Sequence, residues 1–264
     1  MSNSLLLAID QGNTNTVFAI FRDDKLIGQW RAATVTERTA DEYAVWLHQL
    51  LELEGIDSGD IHDAIIATVV PQALFDLKTL CRKHYDCDPL VIGEGAELGI
   101  ALRIDDVREA GADRLVNAVG AFVSHGGPLI VIDFGTATTF DVIDEDGGFA
   151  GGVFAPGIHL ALDAMHRISA RLPRIGIDKP ATVIGTNTVS CMQSGVYWGY
   201  VSLIEGVVQR VREEYGKPMQ VVATGGLAPL FDAATDAIDV FDPDVTVRGL
   251  LEVWRRSRGL TDKP

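Results

Sequence analysis

The chain has 264 residues, 47% of them hydrophobic, and a formal net charge of −15. That length suits one large domain or two of roughly 130 residues, with enough apolar material for a sizeable core. So acidic a balance argues against a basic nucleic-acid face and against attraction to an anionic membrane surface.

Ile9 and its neighbours form a first strand, Val17–Phe21 a second and Lys25–Arg31 a third, with Arg22–Lys25 as a turn. The residues from Ala40 to Glu54 predict a helix: Tyr43, Trp46, Leu47, Leu50 and Leu51 share one face, and Gly55 ends it. Asp63–Val70 reads as a fully buried strand stopped by Pro71. A helix over Gln72–Tyr85, a strand over Pro89–Ile92 and a helix over Gly111–Val123 follow. The plan then repeats. Strands are expected at Leu129–Asp133, Thr138–Ile143 and Phe149–Phe154, then a helix over Ile158–Ser169 and a loop over Arg171–Ala181. Thr188–Tyr215 reads as mostly helical, Gln220–Thr224 as a strand, Ala237–Phe241 as a last short strand and Val245–Arg255 as the last helix. Gly259–Pro264 is expected to be loose. Each half therefore runs three antiparallel strands, helix, strand, helix. This predicts an α/β protein of two similar domains, 1–124 and 125–264, with mixed sheets, outer helices and a cleft between them.

The two halves share a device. Asp10-Gln-Gly-Asn-Thr-Asn-Thr16 aligns without gaps on Asp133-Phe-Gly-Thr-Ala-Thr-Thr139, pairing Gly12 with Gly135, Asn13 with Thr136, Thr14 with Ala137 and Thr16 with Thr139. A glycine turn brings backbone close to a ligand, and its successive N–H groups form a nest for an anion. Hydroxyl and amide side chains add donors. The strand-tip Asp repels phosphate but can hold a cation, or its water shell, against it. One such turn alone is equally an ordinary hairpin; two in corresponding positions point to phosphate binding.

Gly111-Ala-Asp-Arg-Leu-Val-Asn117 opens a helix, where unpaired N–H groups favour anions. Asp113 there is either an acid that complements the helix dipole or a general base for a hydroxyl attacking phosphorus. Arg114 could take a carboxylate or a phosphate with its planar fork. Thr224-Gly225-Gly226 is either a plain turn or a place for a flat adenine ring to lie close to the backbone. Gly151–Gly157 lines a cleft or simply turns the chain. Gln193, Ser194, Gly195 and Gly199 leave room on the long helix for close packing by another helix or a second subunit.

The histidines form no H-x-x-x-H pair, and the sequence holds no P-loop, no G-x-G-x-x-G and no G-x-S-x-G. Cys81, Cys87 and Cys191 form no C-x-x-C pair and suit a reducing compartment as buried or inert thiols. No apolar run approaches the length of a membrane span. Met1-Ser-Asn-Ser carries no positive charge, so no signal peptide is expected and a cytoplasmic location is.

Taken together the motifs resemble one family, the type III pantothenate kinases, within the superfamily of sugar kinases, chaperone ATPases and actin. The pieces are Asp10–Thr16, Trp30-Arg31 with Thr34, Thr68–Pro71, Gly111–Arg114 with Asn117, Asp133–Asp141 and Gly151–Gly157. Gly185–Thr188 with Ser194-Gly195, Thr224–Gly226, and Asp242–Thr246 with Gly249-Leu250 complete them, in order across nearly the whole chain. The resemblance implies two ribonuclease H-like (actin-like ATPase) domains and ATP-dependent phosphorylation of pantothenate, the first step towards coenzyme A. It also implies a homodimer and a requirement for potassium or ammonium beside magnesium with ATP. By position, Asp10, Gln11, Gly12, Asn13, Thr14, Asn15, Thr16 and Val17 would cradle the ATP phosphates, Asp10 facing magnesium. Thr136 would join them, and Gly225 and Gly226 would meet the adenosine. Gly111, Ala112, Asp113 and Arg114 would hold pantothenate with Asp113 as base, Thr188 would touch it, and Asp133 would bind the monovalent cation. The family's usual Tyr-x-Asn-Pro ahead of Gly111 is absent, with Ile104, Asp106 and Val107 at those positions. The alternatives are another small-molecule kinase of the superfamily, such as a sugar kinase, or a non-catalytic kinase-like regulatory protein; intact Gly111–Arg114 argues against both.

Overall fold

The computed structural model describes residues 4–169, 172–231 and 234–261. The first residue of the loop expected over Arg171–Ala181, and residues 262–264 of the expected loose tail, lie outside that set. The chain divides into two compact units: Met1–Ala101 with Asp105–Ser124 and Asp244–Pro264, and Leu102–Ile104 with His125–Pro243.

In the first unit β1 (Leu5–Gln11), β2 (Asn15–Arg22) and β3 (Lys25–Ala33) form an antiparallel meander. β4 (Ile61–Thr68) runs parallel beside β1, and β5 (Leu90–Val91) parallel beside β4, giving the order β3-β2-β1-β4-β5. α1 (Ala40–Leu53) starts at a reciprocal cap between Thr39 and Glu42, which satisfies N–H groups the helix cannot. α2 (Leu74–His84) follows β4 after a short 3-10 turn at Pro71–Ala73, and α3 (Ala112–His125) follows β5.

The second unit repeats the sheet. β6 (Leu129–Phe134), β7 (Ala137–Ile143) and β8 (Phe149–Pro156) are antiparallel. β9 (Gln220–Thr224) is parallel to β6, and β10 (Val240–Phe241) parallel to β9, in the order β8-β7-β6-β9-β10. Strand for strand, order and sense match the first sheet. The helices do not. Two helices, α4 (Ile158–Ile168) and α5 (Thr188–Tyr215), stand between β8 and β9 where the sequence places them, against α1 as the one α-helix between β3 and β4, so the shared plan of one helix there holds only for the first half. Between β9 and β10 there is a 3-10 turn, Ala228–Leu230.

The last helix, α6 (Val245–Ser257), packs in the first unit, although the division at 124/125 assigned it to the second half. A Cβ on Gly120 of α3 would sit 2.1 Å from the Val245 carbonyl oxygen, and one on Gly249 of α6 would sit 2.0 Å from that of Val116. The two backbones touch, which only glycine allows. Thr246 adds a hydrogen bond to Asn117 Oδ1 at 2.6 Å.

This explains why β1 is apolar without a break from Leu5 to Ile9. Leu5, Leu7 and Ile9 pack with Tyr43, Leu47 and Leu51 of α1 and Leu77 and Leu80 of α2. Leu6 and Ala8 face the other way, onto Val116 and Val119 of α3 and Val247, Leu250 and Val253 of α6. A strand covered on both faces shows no alternation. In the second unit, Ile130, Ile132 and Phe140 pack with Tyr197, Val201 and Ile204 of α5 around Phe231.

Candidate active site

The first glycine turn is braced from three sides. Gly12 N–H donates to the Asn15 carbonyl at 2.9 Å and closes the turn. Thr34, just past β3, donates its hydroxyl to the Gly12 carbonyl at 2.8 Å and its N–H to that of Thr14 at 2.9 Å. Its hydroxyl also lies 3.0 Å from that of Thr16. Beneath, Gln11 Oε1 accepts from Thr68 Oγ1 at 3.0 Å, and Gln11 Nε2 faces the Tyr43 hydroxyl at 3.5 Å. Gln11 and Thr16 are fully buried, whereas Asn13, Thr14 and Asn15 are exposed. Within the stretch expected to cradle phosphate, therefore, the side chains of Gln11 and Thr16 serve the fold. Those of residues 13–15 and the turn backbone are what a ligand would meet.

The segment that braces this turn also touches the start of α3. Val69 N–H donates to the Gln11 carbonyl at 3.1 Å, and a Cβ on Gly111 would lie 3.7 Å from Val69 Cγ1. The same Cβ would lie 2.5 Å from Asp113 Oδ1. Gly111 thus leaves the space that the Asp113 carboxylate occupies. Asp113 and Arg114 are half-buried, and Asp113 Oδ1 accepts the Arg114 N–H at 2.8 Å. Gly111, Asp113 and the first turn lie in one unit, linked through Val69.

The second turn is one residue shorter than the first. Gly135 N–H donates to the Ala137 carbonyl, two residues on, at 3.1 Å. A Cβ on Gly12 would meet Asn15 O, and one on Gly135 would meet Ala137 O, both at 3.4 Å. Across the hairpins Gln11 faces Thr16 and Phe134 faces Thr138. The gapless pairing of Thr16 with Thr139 and of Thr14 with Ala137 is therefore corrected: Thr16 corresponds to Thr138, and Asn15 to Ala137. Thr16 and Thr138 are 0% and 1% exposed, against 8% for Thr139.

Two glycines hold this turn from outside. A Cβ on Gly157 would fall 2.1 Å from the Thr136 carbonyl oxygen and 2.9 Å from that of Gly135. The preceding carbonyl, of Pro156, accepts a hydrogen bond from the Tyr200 hydroxyl. Burial pushes the Tyr200 pKa up to about 12, so it stays a donor at neutral pH. Gly225, with φ +92°, presses on Asp133: a Cβ there would be 2.6 Å from Asp133 Oδ1 and 2.7 Å from Phe134 N and O. Thr136, Asp133, Gly225 and Gly157 are thus assembled in the second unit, with Gly226 exposed at its edge. Thr188 is exposed at the first position of α5, after the Asn187–Ser190 cap.

Among the described residues no group of three or more His, Cys, Asp or Glu could hold a metal by itself. Thr34, Thr68, Tyr200 and Gly157 carry much of the bracing, and no spacing rule assigns them that task. The hydroxyls act across strands that are distant in sequence.

Two sheets of one topology, each ending its first strand in an Asp-tipped glycine turn, define the actin-like ATPase and sugar-kinase class. A solved structure from Sinorhizobium meliloti, described as a candidate 2-dehydro-3-deoxygalactonokinase, superposes with a TM-score of 0.62 at 14% identity, over 97% of this chain and 98% of that one. Identity that low speaks for the fold alone. The type III pantothenate kinase of Phenylobacterium zucineum (strain HLK1) is 60% identical over 254 residues, covering 96% of this chain and 99% of that one. That of Paramagnetospirillum magneticum (strain ATCC 700264 / AMB-1) is 59% identical over 254 residues, covering 96% and 98%. The family's model matches residues 6–210, and the chain belongs to the type III pantothenate kinase family. Among the described residues no helix is long and apolar enough to cross a membrane.

Proposed function

We propose that this chain transfers the γ-phosphoryl group of ATP to the primary hydroxyl of pantothenate, giving 4′-phosphopantothenate and ADP. The observation that carries the reading is Asp113, seated in the space left by Gly111 at the start of α3 and joined through Val69 to the first glycine turn. The pantothenate oxygen forms the new P–O bond as the bond to the β–γ bridging oxygen breaks, and Asp113 takes the hydroxyl proton. Such a transfer asks for positioning and charge neutralisation more than for covalent catalysis.

Backbone N–H groups and exposed side chains of Gly12–Asn15 receive ATP phosphates, supported from below by Gln11 and Thr16. Thr136 binds the phosphates from the second turn, and Gly225-Gly226 the adenosine. Arg114 and Thr188 orient pantothenate. Asp10 faces magnesium, which when bound with ATP neutralises the phosphate oxygens. Asp133 would be the oxygen donor for potassium or ammonium, since a carboxylate packed beside the Phe134 and Gly225 backbone offers the oxygen that such a cation takes. The active form is a cytoplasmic homodimer.

The test is ADP release with pantothenate, in potassium and then in sodium buffer. High turnover in potassium and low turnover in sodium is the expected result. Equal turnover in both removes the cation from Asp133; none in either, with ATP still bound, removes pantothenate as substrate.

A further inference from the structure

We propose that Cys81 and Cys87 form a reversible disulfide under attack by a peroxide-class oxidant, a modification site separate from the phosphoryl-transfer chemistry. Their spacing suits buried or inert thiols, and both are buried. The structure brings them together.

Cys81 lies in the last turn of α2, and the chain reverses immediately after it. Tyr85 N–H donates to the Cys81 carbonyl at 3.1 Å, and Cys87 N–H to the same carbonyl at 3.3 Å. Asp86, between them, takes the left-handed conformation (φ 49°) that folds residue 87 back onto the helix end. The Cys87 thiol points at the same carbonyl, with Sγ 3.9 Å from the Cys81 carbonyl oxygen. Both residues are thus anchored on one carbonyl with the Cys87 sulfur turned towards it, the close backbone approach that a disulfide, with its Cα separation of about 4.4–6.8 Å, asks for. Both sit in one apolar cluster with Leu77, Leu80, Tyr85 and Val91, so joining the sulfurs gives up only the weak Cys87 thiol contact with the Cys81 carbonyl.

The pair is also asymmetric. Cys81 is fully buried, whereas Cys87 keeps a small opening to solvent. The neighbouring Cys81 thiol holds Cys87 below its ordinary range, while Cys87 and burial together push Cys81 well above it. The reachable sulfur is thus the one that ionises first, which is what an oxidant selects. The Cys87 thiolate attacks a peroxide oxygen, giving the sulfenic acid and releasing hydroxide. The Cys81 sulfur then attacks the sulfenic sulfur; the S–S bond forms and water leaves, carrying the Cys81 proton. A dithiol reductant reverses the reaction. With its resolving partner already in contact, Cys87 stays on the reversible part of the oxidation ladder.

The experiment treats the native full-length protein with hydrogen peroxide, quenches in acid, alkylates and maps tryptic peptides. Trypsin cuts after Lys78, Arg82, Lys83 and Arg103, so the bridge joins Thr79–Arg82 to His84–Arg103. The expected product is that linked pair, about 2 Da lighter than its reduced parts and separated by dithiothreitol. A Cys81→Ala variant should instead carry Cys87 on to sulfinic acid, trapped at the sulfenic stage by dimedone. Exposed Cys191 serves as the internal reference for an unpaired thiol. Separate recovery of the two peptides from oxidised wild-type protein, with Cys87 alkylated or over-oxidised as in the variant, overturns the proposal; it needs no variant to fold.

Discussion

Replacing Gly157 by alanine should disable the second glycine turn while leaving every side chain in it unchanged. Gly157 has φ −66° and ψ 152°, a conformation alanine adopts without strain, so the effect is steric. The new Cβ would sit 2.1 Å from the Thr136 carbonyl oxygen and 2.7 Å from its carbon, against 3.4 Å for ordinary contact. Something has to retreat by about 1.3 Å. On the other side the Tyr200 hydroxyl holds the Pro156 carbonyl, so the lighter turn at Gly135–Thr136 is what moves. A misplacement of about 1 Å in a positioning element costs on the order of 10²-fold in rate. Overpacking of this kind costs roughly 1–3 kcal/mol of stability. The expected outcome of Gly157→Ala is kcat/KM for ATP lower by about 10² with a folded protein that melts a few degrees earlier. The control is Gly206→Ala in α5, where a Cβ meets only Arg210 Nη1, at 3.0 Å, the end of an exposed side chain that donates to the Gly206 carbonyl. It should leave activity alone and add about 0.5–1 kcal/mol of stability. Wild-type kcat/KM for ATP in Gly157→Ala, together with a lowered melting temperature, would refute the idea that this turn holds nucleotide phosphate.

Asp113→Asn should lower kcat by at least about 10²-fold, the lower end of a general-base contribution, while ATP affinity by calorimetry stays within about threefold. Turnover near wild type would take the base away from Asp113. Thr68→Val strips the donor from buried Gln11 Oε1 and the acceptor from Val70 N–H, bonded at 3.0 Å each, and should cost about 1–3 kcal/mol in urea unfolding. An unchanged midpoint would mean that Gln11 finds another partner. Glu145 is held at about 2, below its ordinary 4.5, first by its hydrogen bond from Lys217 and then by that from Tyr215. A depressed carboxyl stabilises fully above the unfolded value and loses that contribution as pH falls towards the folded one. The melting-temperature gap between wild type and Glu145→Gln should therefore hold above pH 4.5 and close on the way to pH 2. A gap that persists at pH 2 would place its origin outside this ionisation.

Both meanders, their Asp-tipped turns and the bounds of most helices are readable from the sequence because they rest on local signals. Glycine sits where the backbone must turn, and Thr39, Pro71 and Asn187 sit at or beside helix starts. What escapes such reading is non-local. The one-residue difference between the turns is invisible to a gapless comparison, because Gly12 and Gly135 still coincide while Thr16 slides onto Thr139. Burial of Gln11 depends on Thr68 and Tyr43, 57 and 32 positions away. The return of α6 depends on Gly120 meeting Val245 and Gly249, and nothing near either glycine announces the other. The Asp113 motif was legible as a catalytic candidate; the reason for Gly111, which is room for a carboxylate two residues later, emerges only in three dimensions.

That return has a consequence during synthesis. The sheet face formed by Leu6, Ala8, Ala19 and Phe21 is completed by Val247, Leu250 and Val253, made some 130 residues after α3. At ~5–20 residues per second the wait is about 7–26 s. Through that interval the first sheet carries an open apolar face, while the core of the second unit, drawn almost entirely from the uninterrupted stretch His125–Pro243, already has its whole chain. The later-made unit is thus free to fold first. A ribosome stalled before residue 245 would hold a nascent chain whose stickiest surface is its oldest, and the half bearing Asp113 would be the last to reach its native core.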